Sequence, residues 1–378
     1  MAETMLAIRK LASEPGLKVV EVDRPRPGPH DVLVYVEAAS FCGTDLHIWS
    51  WDRWSQRRIK PPITLGHEFA GTVVEVGDMV EHAAVGDYVS AESHVTCGMC
   101  YQCRTGQAHM CPQTRILGVD RDGAFAPYVV VPQSVIWHNN RAKLAPEVAT
   151  LQEPFGNAVF VSMTEDLSGQ SVAVLGCGPI GLFTIGIASS VGAKAVFASD
   201  INEYRMGLAK TMGATQVFNA AAAGGDLVDQ MVAANGGTGI DVVLEMSGAP
   251  NAITSAFRVV RNGGKVILFG IPSKPVEIDV AENMIFKNLT VLALNGRRIF
   301  DTWYKTRWLL EDKVVDLRPL ITKKITLADD VNAAMEMLQR GEACKIVLLP
   351  NDGRPPEISA ERRAVRRDPN ITGAPVHR

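Results

Sequence analysis

Four cysteines fall within a short window, Cys97, Cys100, Cys103 and Cys111, separated by two, two and seven positions. Four thiolates so close in the chain can surround one zinc ion tetrahedrally, each sulfur at about 2.3 Å. All four positions are then protein, no place is left for water, and the zinc is structural. Pro112 after Cys111 invites comparison with a bacterial ferredoxin run, but that run has three residues, not seven, before its last cysteine. A nucleic-acid knuckle is disfavoured by a net charge of −3 and the lack of a basic patch. Disulfides are the other alternative; in a chain that reads as leaderless and held in a reducing, cytoplasmic compartment, metal binding is the better expectation.

A second set is dispersed. Cys42-Gly43-Thr44-Asp45, with His47 just beyond, follows a strand-like run; Gly66-His67-Glu68 precedes another; Glu153-Pro154 stands where the chain changes character. A thiolate, an imidazole and a carboxylate that leave a fourth position open suit a catalytic zinc. Glu68 and Glu153 are both candidates for the carboxylate. Each fragment alone is commonplace: a His-Glu pair usually sits on a surface, and a loop threonine such as Thr44 usually bonds within its own turn. Their weight comes from standing in one chain with a nucleotide motif.

That motif is Gly176-Cys177-Gly178-Pro179-Ile180-Gly181, a G-x-G-x-x-G run that follows a predicted strand and opens a predicted helix. Gly176 permits the tight turn, Gly178 lets the backbone approach a pyrophosphate, and Gly181 lets helix and strand pack closely. The helix N-terminus offers N–H groups and positive dipole to the anion. Asp200, at the end of the next predicted strand, can accept hydrogen bonds from ribose hydroxyls and repel a 2′-phosphate, which favours NAD over NADP. Arg205 pulls the other way; the carboxylate at the strand end has the greater weight. Cys177 reads as a small packing side chain.

These residues need elements to hold them. The chain has 378 residues, 47% apolar and 21% charged, which predicts a globular protein of two domains. Runs beginning at Asp31, Gly71 and Gly86 have the short β-branched segments and turn punctuation of an antiparallel barrel-like domain. From Ser171, strand-like runs at 171–175, 195–199, 241–245, 265–269 and 289–293 alternate with helix-like segments at 181–191, 204–212, 226–234 and 252–260, the pattern of a parallel sheet covered by helices. The expected fold is therefore α/β: a β-barrel domain over 1–157, a doubly wound domain over 158–295, and a return to the first domain over 296–350 that ends in a strand at Lys345. The proline- and arginine-rich stretch 351–378 is expected to stay out of the core, and Asn370-Ile371-Thr372 is expected to match a glycosylation sequon by chance. The apolar window 180–198 contains Lys194 and several glycines, so it reads as a buried helix and strand, not a membrane span.

The order of these motifs resembles the zinc-dependent medium-chain alcohol dehydrogenases over almost the whole chain, from about Met5 to Pro350. The resemblance implies a GroES-like, partly open barrel and a Rossmann domain with the active site in the cleft between them, and a homotetramer; the net charge of −3 suggests no nucleic-acid or membrane partner. It implies Cys42, His67 and Glu68 as catalytic zinc ligands, Glu153 as a carboxylate assisting them, and Thr44 and His47 as a proton relay. It implies His94 as a substrate-discriminating residue, with Ile180, Asp200, Arg205, Phe269, Gly270, Ile271, Leu294 and Asn295 against NAD. Within the family, Trp51-Asp52-Arg53-Trp54 followed by Ile59-Lys60-Pro61-Pro62, the stretch from Asp200 to Arg205, Glu245-Met246-Ser247-Gly248-Ala249-Pro250, and the stretch from Gly296 to Lys305 resemble the branch that oxidises the secondary hydroxyl of L-threonine to 2-amino-3-oxobutanoate. Three positions depart from the pattern: Glu153 where Asp is common, Phe160 where His is common, and Asn295 where an aromatic residue is common. A butanediol or polyol substrate is the neighbouring alternative, a catalytically silent NAD-binding protein with structural zinc only is another, and a methyltransferase would leave Thr44, His47 and His67-Glu68 without purpose. Trp49, Trp51 and Trp54 are expected to divide into one packing residue and two lid residues.

Overall fold

In the computed structural model, which describes residues 3–221 and 226–356, the chain divides into two units. One takes the chain up to Pro154 and resumes at Ile321; the other is Phe155–Leu320.

The first unit is organised by one long strand, Asp31–Ser40, whose apolar run is buried along nearly its whole length. It pairs antiparallel with Glu68–Val76, Tyr128–Pro132 and Lys345–Leu348. Strands Tyr88–Ala91, Ile136–His138 and Ile321–Ile325 extend the same sheet to seven strands. A second sheet forms from Lys18–Asp23, Thr4–Lys10 and Ile63–Thr64. Val34, Val36, Phe69, Val73, Val89, Val129 and Ile346 fill the core they enclose.

Register decides what happens at one end of this sheet. Ser40 lies opposite Glu68 in one ladder and opposite Val347 in the other. Because both neighbours run antiparallel to Asp31–Ser40, the end of that strand meets the beginnings of the other two. Phe41-Cys42, His67-Glu68 and Lys345 therefore leave or enter the sheet at the same edge, although they are distant in sequence. Gly66 makes the last turn before His67 with φ of 95°, and a Cβ there would stand 2.3 Å from the Phe125 ring. Only glycine fits both the dihedral and the space.

The second unit is a six-stranded parallel sheet in the order Gln216–Asn219, Ala195–Asp200, Ser171–Leu175, Ile240–Glu245, Val260–Leu268, Thr290–Ala293. The first strand in sequence, Ser171–Leu175, sits at the point where the order reverses, so the turn after it opens into the crevice where such sheets bind ligands. Helices Pro179–Ser190, Glu203–Thr211, Leu227–Ala234 and Pro250–Val259 make the crossovers. The expected strands and helices are present; Gln216–Asn219, too short and polar to stand out, was not among them.

Two boundaries differ from expectation. Residues 296–320 belong to the second unit and do not return to the first. Helix Asp301–Glu311 buries Trp303, Leu309 and Leu310. Thr302 closes on Gly156 of helix Gln152–Ser162, and Val315 closes on Gly186. A helical pattern shows that a face must be buried but not against which partner. The start of the segment expected to stay free is also tied down. Asn351 Nδ2 donates to the carbonyls of Val36 and Pro127 at 2.9 and 3.2 Å, and Tyr35 Oη donates to the Arg354 carbonyl. Residues 357–378, with the sequon at Asn370, lie outside the described residues. Window 180–198 is the helix Pro179–Ser190 and the start of a strand, and among the described residues no helix is long and apolar enough to cross a membrane.

Candidate functional site

The four-cysteine segment is an excursion from the first unit, closed at its base by the short pair His94–Val95 and Arg115–Ile116. Helix Tyr101–Arg104 and the turn Ala108–Met110 fold it back on itself. Sulfur separations are 4.0 Å for Cys97–Cys103, 3.5 Å for Cys100–Cys103 and 3.6 Å for Cys97–Cys111. These are far beyond a disulfide bond of about 2.05 Å. They bracket the edge of about 3.8 Å that a tetrahedron with 2.3 Å zinc–sulfur arms has. Backbone N–H groups from Met99 and Cys100 hold the Cys97 thiol below its usual value. Burial works upward on Cys111, but backbone N–H groups overcome it and bring that thiol down to about 6. On Cys100 the Cys103 N–H works downward, but burial and the neighbouring sulfurs overcome it and push that thiol up to about 11; two of the four thiols thus lean toward the ionised form that a metal takes.

At the sheet edge, one donor atom each from Cys42, His67 and Glu68 lies within 4.8 Å of the other two. Cys42 caps helix Gly43–Ser50, and its N–H is held by Asp45 Oδ2 at 2.9 Å. His67 and Glu68 are almost wholly buried. Glu68 Oε2 accepts from Ser40 Oγ and from Lys345 Nζ, the latter at 2.5 Å. Its other oxygen, Oε1, is buried without a hydrogen-bond partner, as is Nδ1 of His67. A buried carboxylate oxygen left bare costs several kcal/mol unless a cation meets it. Burial alone would lower the His67 pKa, yet the Asp45 carboxylate and the Cys42 sulfur push it well above its ordinary value. The pocket thus calls for positive charge, and its thiolate, imidazole and carboxylate are the donors zinc takes. The residues present fit the metal.

Thr44 follows at once, its hydroxyl 3.9 Å from Cys42 Sγ. His47 lies one helical turn further, so the two share a helix face. Glu153, at the start of helix Gln152–Ser162, accepts from Ser93 Oγ at 2.5 Å. It forms a second group with His94 and Glu92, again with donor atoms within 4.8 Å. Glu92 Oε1 lies 3.0 Å from both the N–H and Nδ1 of His94. Nothing in the sequence singles out Asp45, Glu92 or Lys345 as part of the site. A lysine opening the run Lys345-Ile-Val-Leu looks like an exposed strand end, and nothing local marks it as buried. The tryptophans divide differently from expectation: Trp49 and Trp51 both pack against the core, Trp49 with its Nε1 on Asn332, and Trp54 is 41% exposed. The helix Gly43–Ser50 turns Trp49 inward, and the turn after it folds Trp51 beneath Lys10.

In the second unit, Gly176 turns with φ of 104°, and Gly178 caps helix Pro179–Ser190 with open space where its Cβ would be. Asp200 Oδ2 accepts the Cys177 N–H at 2.6 Å and Oδ1 accepts Asn202 N–H at 2.9 Å, so the carboxylate also braces the glycine turn. Arg205 stands half-buried one turn into the following helix. Burial pushes the Cys177 thiol up to about 12, which leaves it inert. Phe269 and Gly270 donate their N–H groups to the Glu245 carbonyl, and Leu294 donates to Leu268. Ile180 stands in the first turn of helix Pro179–Ser190, and Ile271 and Asn295 lie beyond the ends of strands Val260–Leu268 and Thr290–Ala293, Ile271 being 83% exposed. Phe160 has the Arg298 guanidinium over its ring at 5.5 Å. A Cβ on Gly181 would stand 2.0 Å from the Gly176 carbonyl oxygen. Gly181→Ala should therefore push the helix off the strand, cost about 1–3 kcal/mol of stability, and weaken NADH binding at least tenfold when read by fluorescence titration. Unchanged binding would mean that the turn does not hold the dinucleotide.

Two family models match the chain: the alcohol dehydrogenase GroES-like domain over residues 28–141 and the zinc-binding dehydrogenase model over residues 179–312. An L-threonine 3-dehydrogenase of Symbiobacterium thermophilum is 47% identical over 352 residues, 93% of this chain and 99% of that one. Among solved structures, a zinc-binding dehydrogenase of Sinorhizobium meliloti bound to NADP superposes with a TM-score of 0.84 at 31% identity, covering 92% of this chain and 100% of the other. The 2R,3R-butanediol dehydrogenase of Bacillus subtilis gives 0.82 at 28% identity, covering 92% and 100%.

Proposed function

The chain belongs to the zinc-binding alcohol dehydrogenases, and from that premise we propose that it oxidises the secondary hydroxyl of L-threonine to 2-amino-3-oxobutanoate, with NAD as hydride acceptor. The observation that carries the chemistry is the bare, buried Oε1 of Glu68 beside Cys42 and His67. Those three residues would hold the catalytic zinc, and the four cysteines a structural one. When bound, zinc supplies a Lewis acid that makes the hydroxyl acidic near neutral pH, and the nicotinamide accepts the hydride.

The protein's own groups do the rest. Thr44 takes the hydroxyl proton as it gives its own to His47, which releases it to solvent. Glu153, held by Ser93, stands close enough to His67 to act on its charge. Two nearly buried carboxylates, Glu92 and Glu153, flank His94. That grouping suits the ammonium of an amino acid better than the neutral hydroxyls of a diol, and it joins the relatives' names and the four threonine-branch stretches in favouring threonine. Asp200 at its strand end favours NAD over NADP, since its charge would repel a 2′-phosphate. The family resemblance carries one further proposal, a homotetramer, and the cysteine usage another, a reducing, cytoplasmic location.

The test follows NADH absorbance after adding L-threonine, L-serine, 2,3-butanediol or sorbitol to zinc-loaded protein, with NAD and with NADP, with and without a chelator. Chelator-sensitive reduction of NAD with threonine is the expected result. Reduction with a diol or sorbitol but not threonine would keep the zinc chemistry and remove the substrate. One zinc per chain in place of two, with no turnover, would favour the silent binding protein.

A further inference from the structure

The relay residue His47 is not a loose surface histidine. After helix Gly43–Ser50, Trp51 adopts a left-handed conformation (φ 56°) and reverses the chain, so that Asp52 comes back beneath the helix. Asp52 Oδ2 then lies 2.7 Å from His47 Nδ1. The other oxygen, Oδ1, accepts the Ser55 N–H at 3.0 Å as the cap of helix Arg53–Arg58. One carboxylate thus fixes the next helix and the imidazole together. Gln56, on that helix, ties the turn again by donating to the Trp51 carbonyl at 2.9 Å.

An ionised carboxylate can only accept hydrogen bonds, so the contact requires the proton on Nδ1. Burial works upward on the Asp52 carboxyl, but the Ser55 N–H and the His47 ring hold it below its ordinary value, which keeps it ionised. Among the described residues, the one ion pair of the His47 ring is with Asp52, although Arg53 and Arg57 stand on the helix that Asp52 caps. Of the arginines on helix Arg53–Arg58, Arg58 is paired with Asp120 at 2.6 Å. Helix Val331–Gln339, packed on the other side, sends Asn332 to Trp49, and its Glu336 pairs with Arg340. Lys10 reaches the Trp49 carbonyl, not the ring of His47. The Trp54 ring lies beside it, 6.2 Å away between centroids.

We propose that Asp52 is the positioning residue of the proton exit: it holds His47 as the Nδ1–H tautomer, so that Nε2 receives the proton arriving from Thr44. The inference rests on the relay read above. The alcohol proton goes to the Thr44 oxygen while the Thr44 proton is passed on toward Nε2; the imidazolium, stabilised by Asp52, gives one proton to water and returns to its starting form. The carbinol hydride goes to NAD, so the sum is one hydride and one proton lost from the alcohol. Second partners that fix a histidine's tautomer govern its basicity in the same way elsewhere.

Asp52→Asn separates this role from helix capping. Asparagine caps as well as aspartate, but with its oxygen on Ser55 its amide N–H₂ faces His47 and donates to Nδ1, which forces the proton onto Nε2. We expect kcat with the best alcohol of the panel to fall about 10- to 100-fold, within the usual range for a general base, with KM changed less than about threefold. The limb of the kcat–pH profile that reports His47 should vanish, while NADH binding and the unfolding temperature stay near those of the parent. His47→Asn and the double variant complete the cycle. A positioning role predicts that Asp52→Asn costs nothing further in the His47→Asn background. A cost that persists there would make Asp52 merely structural and overturn the proposal. A costly His47→Asn beside a harmless Asp52→Asn would also overturn it while leaving the relay intact. A harmless His47→Asn would remove the relay itself and Asp52 with it.

Discussion

Cys42→Ser should abolish turnover, lowering kcat by about a thousandfold or more, roughly 4 kcal/mol of barrier, while fold and NADH binding persist. Serine is nearly isosteric but does not ionise near neutral pH, so the pocket loses the one soft anionic donor that zinc prefers. Cys42 is not a core residue; it is partly exposed and caps helix Gly43–Ser50 from a position where serine is a good cap. Circular dichroism and NADH titration should therefore match the parent protein. Metal analysis should show the zinc of Cys97, Cys100, Cys103 and Cys111 retained and the other lost or weakened. An active Cys42→Ser protein would refute the assignment of this pocket as the catalytic metal centre.

Lys345→Met should be strongly destabilising to the first unit. Lys345 and Glu68 form an ion pair with side-chain exposures of 2% and 0%. Methionine matches the length of the stem but removes the ammonium that serves both Glu68 Oε2 and the Phe41 carbonyl, at 2.5 and 2.6 Å. Removing one member of a buried pair leaves the other charge uncompensated, which costs about 3–5 kcal/mol. Urea unfolding of the zinc-depleted protein reads this directly. Pairing the change with Glu68→Gln should recover most of the loss, because the stranded charge is gone. If the double variant is no more stable than Lys345→Met alone, the penalty is one of packing and the ion pair contributes little.

The cysteine lobe and the nucleotide turn were legible in the sequence because their chemistry is local. Cys97 to Cys111 needs only a folded-back segment to bring four sulfurs together, and Gly176 to Gly181 is a single strand–turn–helix unit in which contacts within or beside the turn require glycine at 176 and 181, and 178 is left open. Hydrophobic periodicity likewise located the buried strands at Asp31–Ser40 and Ser171–Leu175, because apolar side chains must leave water wherever the chain later takes them.

What the sequence could not determine was which distant polar residue meets which. Ser40, Glu68 and Lys345 become neighbours only through the register of two antiparallel ladders, and a slip of one residue would turn each to the other face. Asp52 reaches His47 only through the left-handed turn at Trp51. Residues 296–320 read as helical in either unit, and contacts at Gly156 and Gly186 assign them to the second. Residue type and short-range spacing set which metals and cofactors the chain can hold. The charges that complete those sites come from long-range pairing, since burial and register belong to the folded sheet and not to any one segment of it.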